Sequence, residues 1–101
     1  MFVMVTHTYP LDKATEVGKA FTKLPPRSPF IKRVGLYSIL STELGVKNYG
    51  LYEIEDEKLA EGLREMTKRL LTYKDVVGFG FKIEPLLTPE EALPFLGLAP
   101  P

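Results

Sequence analysis

Between Phe2 and Glu84 the spacing of apolar residues passes from strand to helix to two strands to helix to strand. That order, β-α-β-β-α-β, constrains the fold more than any single residue does, because strands bury alternate residues and helices bury every third or fourth. Phe2–Tyr9 is rich in β-branched and aromatic residues and stops at Pro10, a strand with apolar residues on both parities and so a central one. Ala14, Val17, Phe21 and Leu24 form one stripe of a helix over 13–24, with Asp12 as its cap, Gly18 allowing close approach to a sheet and Pro25-Pro26 ending it. Residues 31–42 and 47–55 are strands joined by a turn around Gly45, too close in sequence to be anything but an antiparallel hairpin.

A second helix over 57–73 follows, capped by Asp56, with Leu59, Leu63, Met66, Leu70 and Tyr73 on one face and Glu65 and Arg69 spaced to pair. Val76–Glu84 then alternates, Val77, Phe79, Phe81 and Ile83 against Gly78, Gly80, Lys82 and Glu84. In the C-terminal segment 85–101, Thr88, Pro89 and Glu91 spell a capping box for a short helix that Pro94 limits. Its Leu93, Phe95, Leu96 and Leu98 need cover from the chain's own sheet or from a partner.

Right-handed crossovers turn this order into one α+β domain, residues 1–101 with a core over 2–84. Its four-stranded antiparallel sheet has the order 4-1-3-2, two helices on one face and a short C-terminal helix. This is the ferredoxin-like arrangement. An ionised Glu53 is costly beneath helices, so Gly50, Tyr52 and Ile54 belong under them and Tyr49, Leu51 and Glu53 on the open face. By the same parity Val34, Leu36, Leu40, Phe79, Phe81 and Ile83 face the helices, and Gly35, Tyr37 and Ile39 face away. The open face then carries Tyr37, Ile39, Tyr49 and Leu51, more apolar surface than water tolerates, and a second copy laid sheet against sheet is the economical cover.

Over residues 2–84 the element order, the lengths and this apolar face resemble the dimeric α/β-barrel group of the ferredoxin-like folds, in which two sheets close around an internal cleft. The ending Leu87–Leu98 is similar to the tail of small prokaryotic proteins of that kind. The resemblance implies a homodimer whose cleft holds a small apolar or aromatic ligand against Tyr9, Tyr37, Ile39, Tyr49 and Leu51. It also implies an alternative, a cofactor-free enzyme acting on small aromatic or lactone substrates. A third reading is a module whose open face and tail bind another protein.

The candidate acid–base groups are few. His7 is the single histidine, able to exchange a proton near neutrality, and shares parity with Val3, Val5 and Tyr9. Glu53 among aromatics in a closed cleft would have a raised pKa, while near a wet strand end it would pair with Lys47 or Arg33. No metal is expected, since one histidine and no cysteine cannot supply a transition-metal ligand set, and the acidic run Glu53–Glu57 suits a helix start. No cofactor motif is present.

Thirteen basic residues balance thirteen acidic ones, so no field draws the chain to nucleic acid. The stretch Val77–Lys82 looks like part of an RNA-recognition RNP1 sequence but falls on the fourth strand, where that family uses the third. The apolar run after Met1 is too short for a signal peptide, and no stretch is long enough for a membrane span, which makes a cytoplasmic protein the expectation by elimination.

Overall fold

A computed structural model describes residues 1–99. The strands are β1 (Phe2–Tyr9), β2 (Ile31–Ser41), β3 (Gly45–Ile54) and β4 (Gly80–Pro85), and the helices are α1 (Ala14–Thr22), α2 (Leu59–Leu70) and α3 (Pro89–Ala92). Single turns of 3-10 helix lead into α1 and α2 and follow α2 and α3. The sheet runs β2-β3-β1-β4 with every neighbouring pair antiparallel. That is the 4-1-3-2 order expected from the sequence, read from the other edge.

One face of the sheet makes the core. Val3 lies opposite Tyr52 and Val5 opposite Gly50, so these four share a face. Val3, Val5, Tyr52 and Ile54 pack against Met66 and Leu70 of α2, with Phe81 and Ile83 of β4 at the margin. Val17 of α1 packs with Tyr73, Val76, Tyr9 and Phe79 on the same side. The two helices therefore cover one face together. Gly62 sets how closely α2 approaches, because a Cβ there would stand 2.7 Å from Ile54 Cγ2. Gly18 has no such role: it is exposed, and a Cβ would meet nothing within 4 Å.

The structure departs from the sequence expectations at the ends of elements. Neither Asp12 nor Asp56 caps a helix, because each sits inside a 3-10 turn and makes no capping bond. Asp56 instead accepts from the Met1 amino group at 2.7 Å. Glu65 and Arg69 do not pair with each other. Both reach back to the proline-rich connector, where Ser28 donates its N–H (2.9 Å) and its hydroxyl to Glu65, and Arg69 donates to the Pro25 carbonyl.

β4 starts at Gly80 rather than Val76. Gly78 has φ +84°, which no strand accommodates, and the turn it makes leaves Val77 exposed while Val76 drops into the core. On β2 a bulge lies between Arg33 and Gly35. It reconciles Ile31, buried opposite Ile54, with Leu36, which sits on the same face although five residues later it should be out of phase.

The two helices do not cover the whole of this face. Leu36 and Leu40 lie on the helix side of β2, as expected, yet α1 and α2 do not reach them, and Leu40 is 71% exposed. Val34, at the bulge, is also exposed. The C-terminal segment stands apart from the body as well. Its capping box forms, with the Glu91 N–H donating to the Thr88 hydroxyl (3.3 Å) and the Thr88 N–H to the Glu91 carboxylate (3.0 Å). Yet Phe95, Leu96 and Leu98 remain exposed. The radius of gyration, 15.6 Å, exceeds the roughly 13 Å of a compact chain of this length. No helix among the described residues is long and apolar enough to cross a membrane.

Candidate functional site

The face of the sheet turned away from α1 and α2 is defined by register. Phe2 lies opposite Glu53, Met4 opposite Leu51 and Thr6 opposite Tyr49, the alternate set to Val3 and Val5. On the other side of β3, Gly35 lies opposite Leu51, Tyr37 opposite Tyr49 and Ile39 opposite Lys47. Tyr37, Ile39, Tyr49, Leu51 and Glu53 therefore share one face, with Phe2, Met4 and Thr6 beside them. Tyr37 and Ile39 are 70% and 52% exposed, Tyr49 and Leu51 half-buried, and Thr6 buried between its neighbours. The Lys47 ammonium sits 5.1 Å from the Tyr49 ring centroid, a cation–π contact that leaves one end of the patch positive. On β4 the same face carries Lys82 and Glu84, opposite Thr6 and Met4, so the apolar part is confined to β1, β2 and β3.

Two Gly-Leu-Tyr triplets, 35–37 and 50–52, give this sheet a matched pair of aromatic covers. The Tyr37 ring lies back over Gly35, where a Cβ would stand 2.8 Å from it, and the Tyr52 ring lies over Gly50 at 2.7 Å. Tyr52 does this beneath the helices, with the Arg27 guanidinium 5.7 Å from its centroid. Tyr37 does it on the open side with nothing above. The repeated triplet was visible in the sequence and is the signal that could have singled out Tyr37 as a flat platform.

His7 and Tyr9 are placed elsewhere. His7 lies opposite Asn48 and Phe81, in the set with Val3 and Val5, and so faces the helices. Its ring is 5.8 Å from that of Phe79 and 6.2 Å from that of Tyr9, and Tyr9 stacks on Phe79 in turn. The sheet thus stands between this pair and the Tyr37–Glu53 group, and the expected grouping of His7 with Glu53 in one cleft does not form within a single chain. Burial lowers the His7 pKa below its usual value, and Nδ1 has no hydrogen-bond partner among the described residues. Beside it runs a polar chain that sequence reasoning missed: Ser38 donates to the buried Asn48, whose side-chain amide donates to the Tyr9 hydroxyl at 3.3 Å.

Glu53 is exposed near the end of β3, opposite Lys32 rather than Arg33 or Lys47, and makes no ion pair within 4 Å among the described residues. Glu65 is the carboxylate whose pKa is perturbed. Burial alone would raise it, but the two Ser28 hydrogen bonds and the charges of Arg69 and Arg27 outweigh that and hold it low. This cluster ties α2 to the connector before β2.

Among the described residues no three His, Asp or Glu side chains converge in a way that could hold a metal ion. The larger concavities of the single chain lie away from Tyr37, Tyr49 and Leu51. One, about 440 Å³ and open to solvent, is formed at one end of the sheet by Tyr9, Pro10, Thr42, Leu44 and their neighbours. Tyr37, Tyr49 and Leu51 line none of these concavities. No family model, curated protein or solved structure matches the chain.

Proposed function

We propose that the chain acts as a homodimer, two ferredoxin-like sheets facing each other, with a small apolar or aromatic ligand held between them. The observation that carries this reading is the bare apolar face: Tyr37, Ile39, Tyr49 and Leu51 on one side of a sheet whose helices cover only the other. Binding sites commonly combine apolar walls with a few polar groups. Here the walls are these four residues with Met4, and the polar groups are the Thr6 and tyrosine hydroxyls, Lys47 and, at the end of the strand, Glu53. The element order and strand order support the resemblance to the dimeric α/β barrels, whose clefts are built in this way. A catalytic version would rest on Glu53 and the tyrosines alone, since His7 and Tyr9 face the helices.

Titration with an anilinonaphthalene fluorescent probe tests the reading. Saturable, stoichiometric binding that is lost in Leu51→Asp and kept in His7→Asn is the expected result. Absence of saturable binding, or equal binding by Leu51→Asp, would contradict it.

A further inference from the structure

A small recess lies on the helix side of the sheet, lined by residues of β1, β3, α1, α2 and the connector before β2. Its volume is about 40 Å³, room for roughly one to three water-sized groups. Its apolar walls include Val5, Phe21, Leu24, Met66 and Leu70. Four polar side chains line it too: Arg27, Arg69, Tyr52 and Tyr73. Two guanidiniums are an unusual lining for a space between a sheet and its helices, because charge placed there needs a partner.

The chain gives these two arginines no carboxylate of their own. Neither is in an ion pair within 4 Å among the described residues. Glu65 feels the charge of both, but its two oxygens accept from the N–H and the hydroxyl of Ser28 instead. Arg69 donates to the Pro25 carbonyl. The Arg27 Nε is buried and has no acceptor among the described residues. The Tyr52 ring, its centroid 5.7 Å from the Arg27 guanidinium carbon, offers that group a π face but no oxygen. Buried donors are nearly always paired, with protein, with water or with a ligand.

We infer that the recess binds the carboxylate head of a small organic acid, with Arg27 and Arg69 as its cationic partners and the Tyr52 and Tyr73 hydroxyls as further donors. A guanidinium fork presents two parallel N–H groups to a carboxylate. So small a recess suits a planar carboxylate better than a tetrahedral phosphate. The rest of the acid has a place as well. Leu24 and Arg69 also line a neighbouring hollow of about 300 Å³, together with Pro25, Pro26, Thr72, Lys68 and Glu65. Arg27, Arg69 and Lys68 outweigh the charge of Glu65, so the two concavities are positive as a pair. Apolar walls with a few charged groups are the common make-up of a small-molecule site.

This site is independent of the open face. Val5 and Tyr52 belong to the helix side of the sheet, and Tyr37, Ile39, Tyr49 and Leu51 line neither concavity. The connector that builds it is stiff, since Pro25, Pro26 and Pro29 fix their own φ. The hydrogen bonds from Ser28 to Glu65 and from Arg69 to Pro25 tie it to α2. The backbone at Arg27 is thus in place before a ligand arrives, which lowers the entropic cost of binding.

The test is a titration of the full, isotope-labelled chain with sodium phenylacetate, followed by NMR. Saturable shifts of the amides in 24–28 and 66–73 are expected. Arg27→Gln is expected to weaken binding at least about tenfold, and Arg27→Lys, which keeps the charge and loses the fork, to weaken it by less. The spectrum of each variant reports its fold, and Arg69→Gln serves as a second variant with the same expected direction. Neutral phenylacetamide is expected to leave these amides unmoved. Three results would overturn the inference: no saturable shifts at tens of millimolar, equal binding there of phenylacetamide or inorganic phosphate, or an Arg27→Gln chain that binds as tightly as the unaltered one. Shifts confined to 35–39 and 49–53 would also overturn it, by placing the acid on the open face.

Discussion

The two faces of this sheet are built from neighbouring residues of the same strands and have opposite fates. On the helix side Val3 and Ile54 are fully buried. One residue along from each, Phe2 and Glu53 lie on the other side and are exposed. The difference is not one of composition alone, since the open side also holds Tyr37, Ile39 and Leu51. What differs is supply of cover. Among the described residues two helices cover most of one face, and no element covers the other. In the proposed reading, the apolar residues of the uncovered face serve assembly rather than folding.

Substitutions on the two faces should separate these roles. Ile54→Ala removes a fully buried side chain and is expected to cost about 2–5 kcal/mol of folding stability in urea denaturation. Ile39→Ala, on the open face, is expected to leave the unfolding midpoint nearly unchanged at concentrations where the chain is dissociated and to weaken the dimer. An equal loss of folding stability in the two variants would erase the distinction. Gly62→Ala comes next. Its new methyl would meet Ile54 at 2.7 Å, and overpacking of this kind costs about 1–3 kcal/mol, offset by at most ~1 kcal/mol of helix propensity.

Gly18→Ala is the control on the other helix. With open space around it, it is expected to stabilise by about 0.5–1 kcal/mol. Opposite signs at the two glycines, read by thermal or chemical unfolding, would establish that only α2 is seated tightly on the sheet.

The smallest effect concerns His7. Its pKa is lowered in the folded state by burial, so the unfolded chain takes up the proton first. Stability from this residue is complete above about pH 6.5, the unfolded value. It declines as pH falls from there toward the lowered folded value. His7→Phe should flatten the stability profile in that window. Glu65, whose pKa is also lowered, acts in a separate, more acidic window, losing its contribution as pH falls through its folded value, so the two can be told apart.

The middle of each element was legible in the sequence, and the ends were not. Gly50, Tyr52 and Ile54 could be placed under the helices because a charged Glu53 fixed the parity of β3, and the Leu59–Tyr73 stripe lies where its spacing put it. The capping box at Thr88 was also legible, because its four residues are contiguous. Asp12 and Asp56 failed as caps because a 3-10 turn and a cap share the same local composition. The β2 bulge could not be read, since it is set by pairing with β3 and not by β2 itself. His7 and Tyr9 could have been assigned to the helix side from their parity with Val3 and Val5, but only once the register opposite Tyr52 and Gly50 was known. The apolar open face was legible from strand parity, and the exposure of Phe95, Leu96 and Leu98 was not, because their spacing does not say what they pack against.

The central proposal is that the face left bare among the described residues is covered by a second copy. Sedimentation equilibrium of the full chain at micromolar concentration tests it most directly. The account predicts a species of twice the 11.4 kDa chain mass, with Tyr37→Ser/Ile39→Ser shifting it to the monomer while leaving the circular dichroism spectrum unchanged. A folded species of single-chain mass across the range, or a dimer indifferent to that double variant, would contradict it.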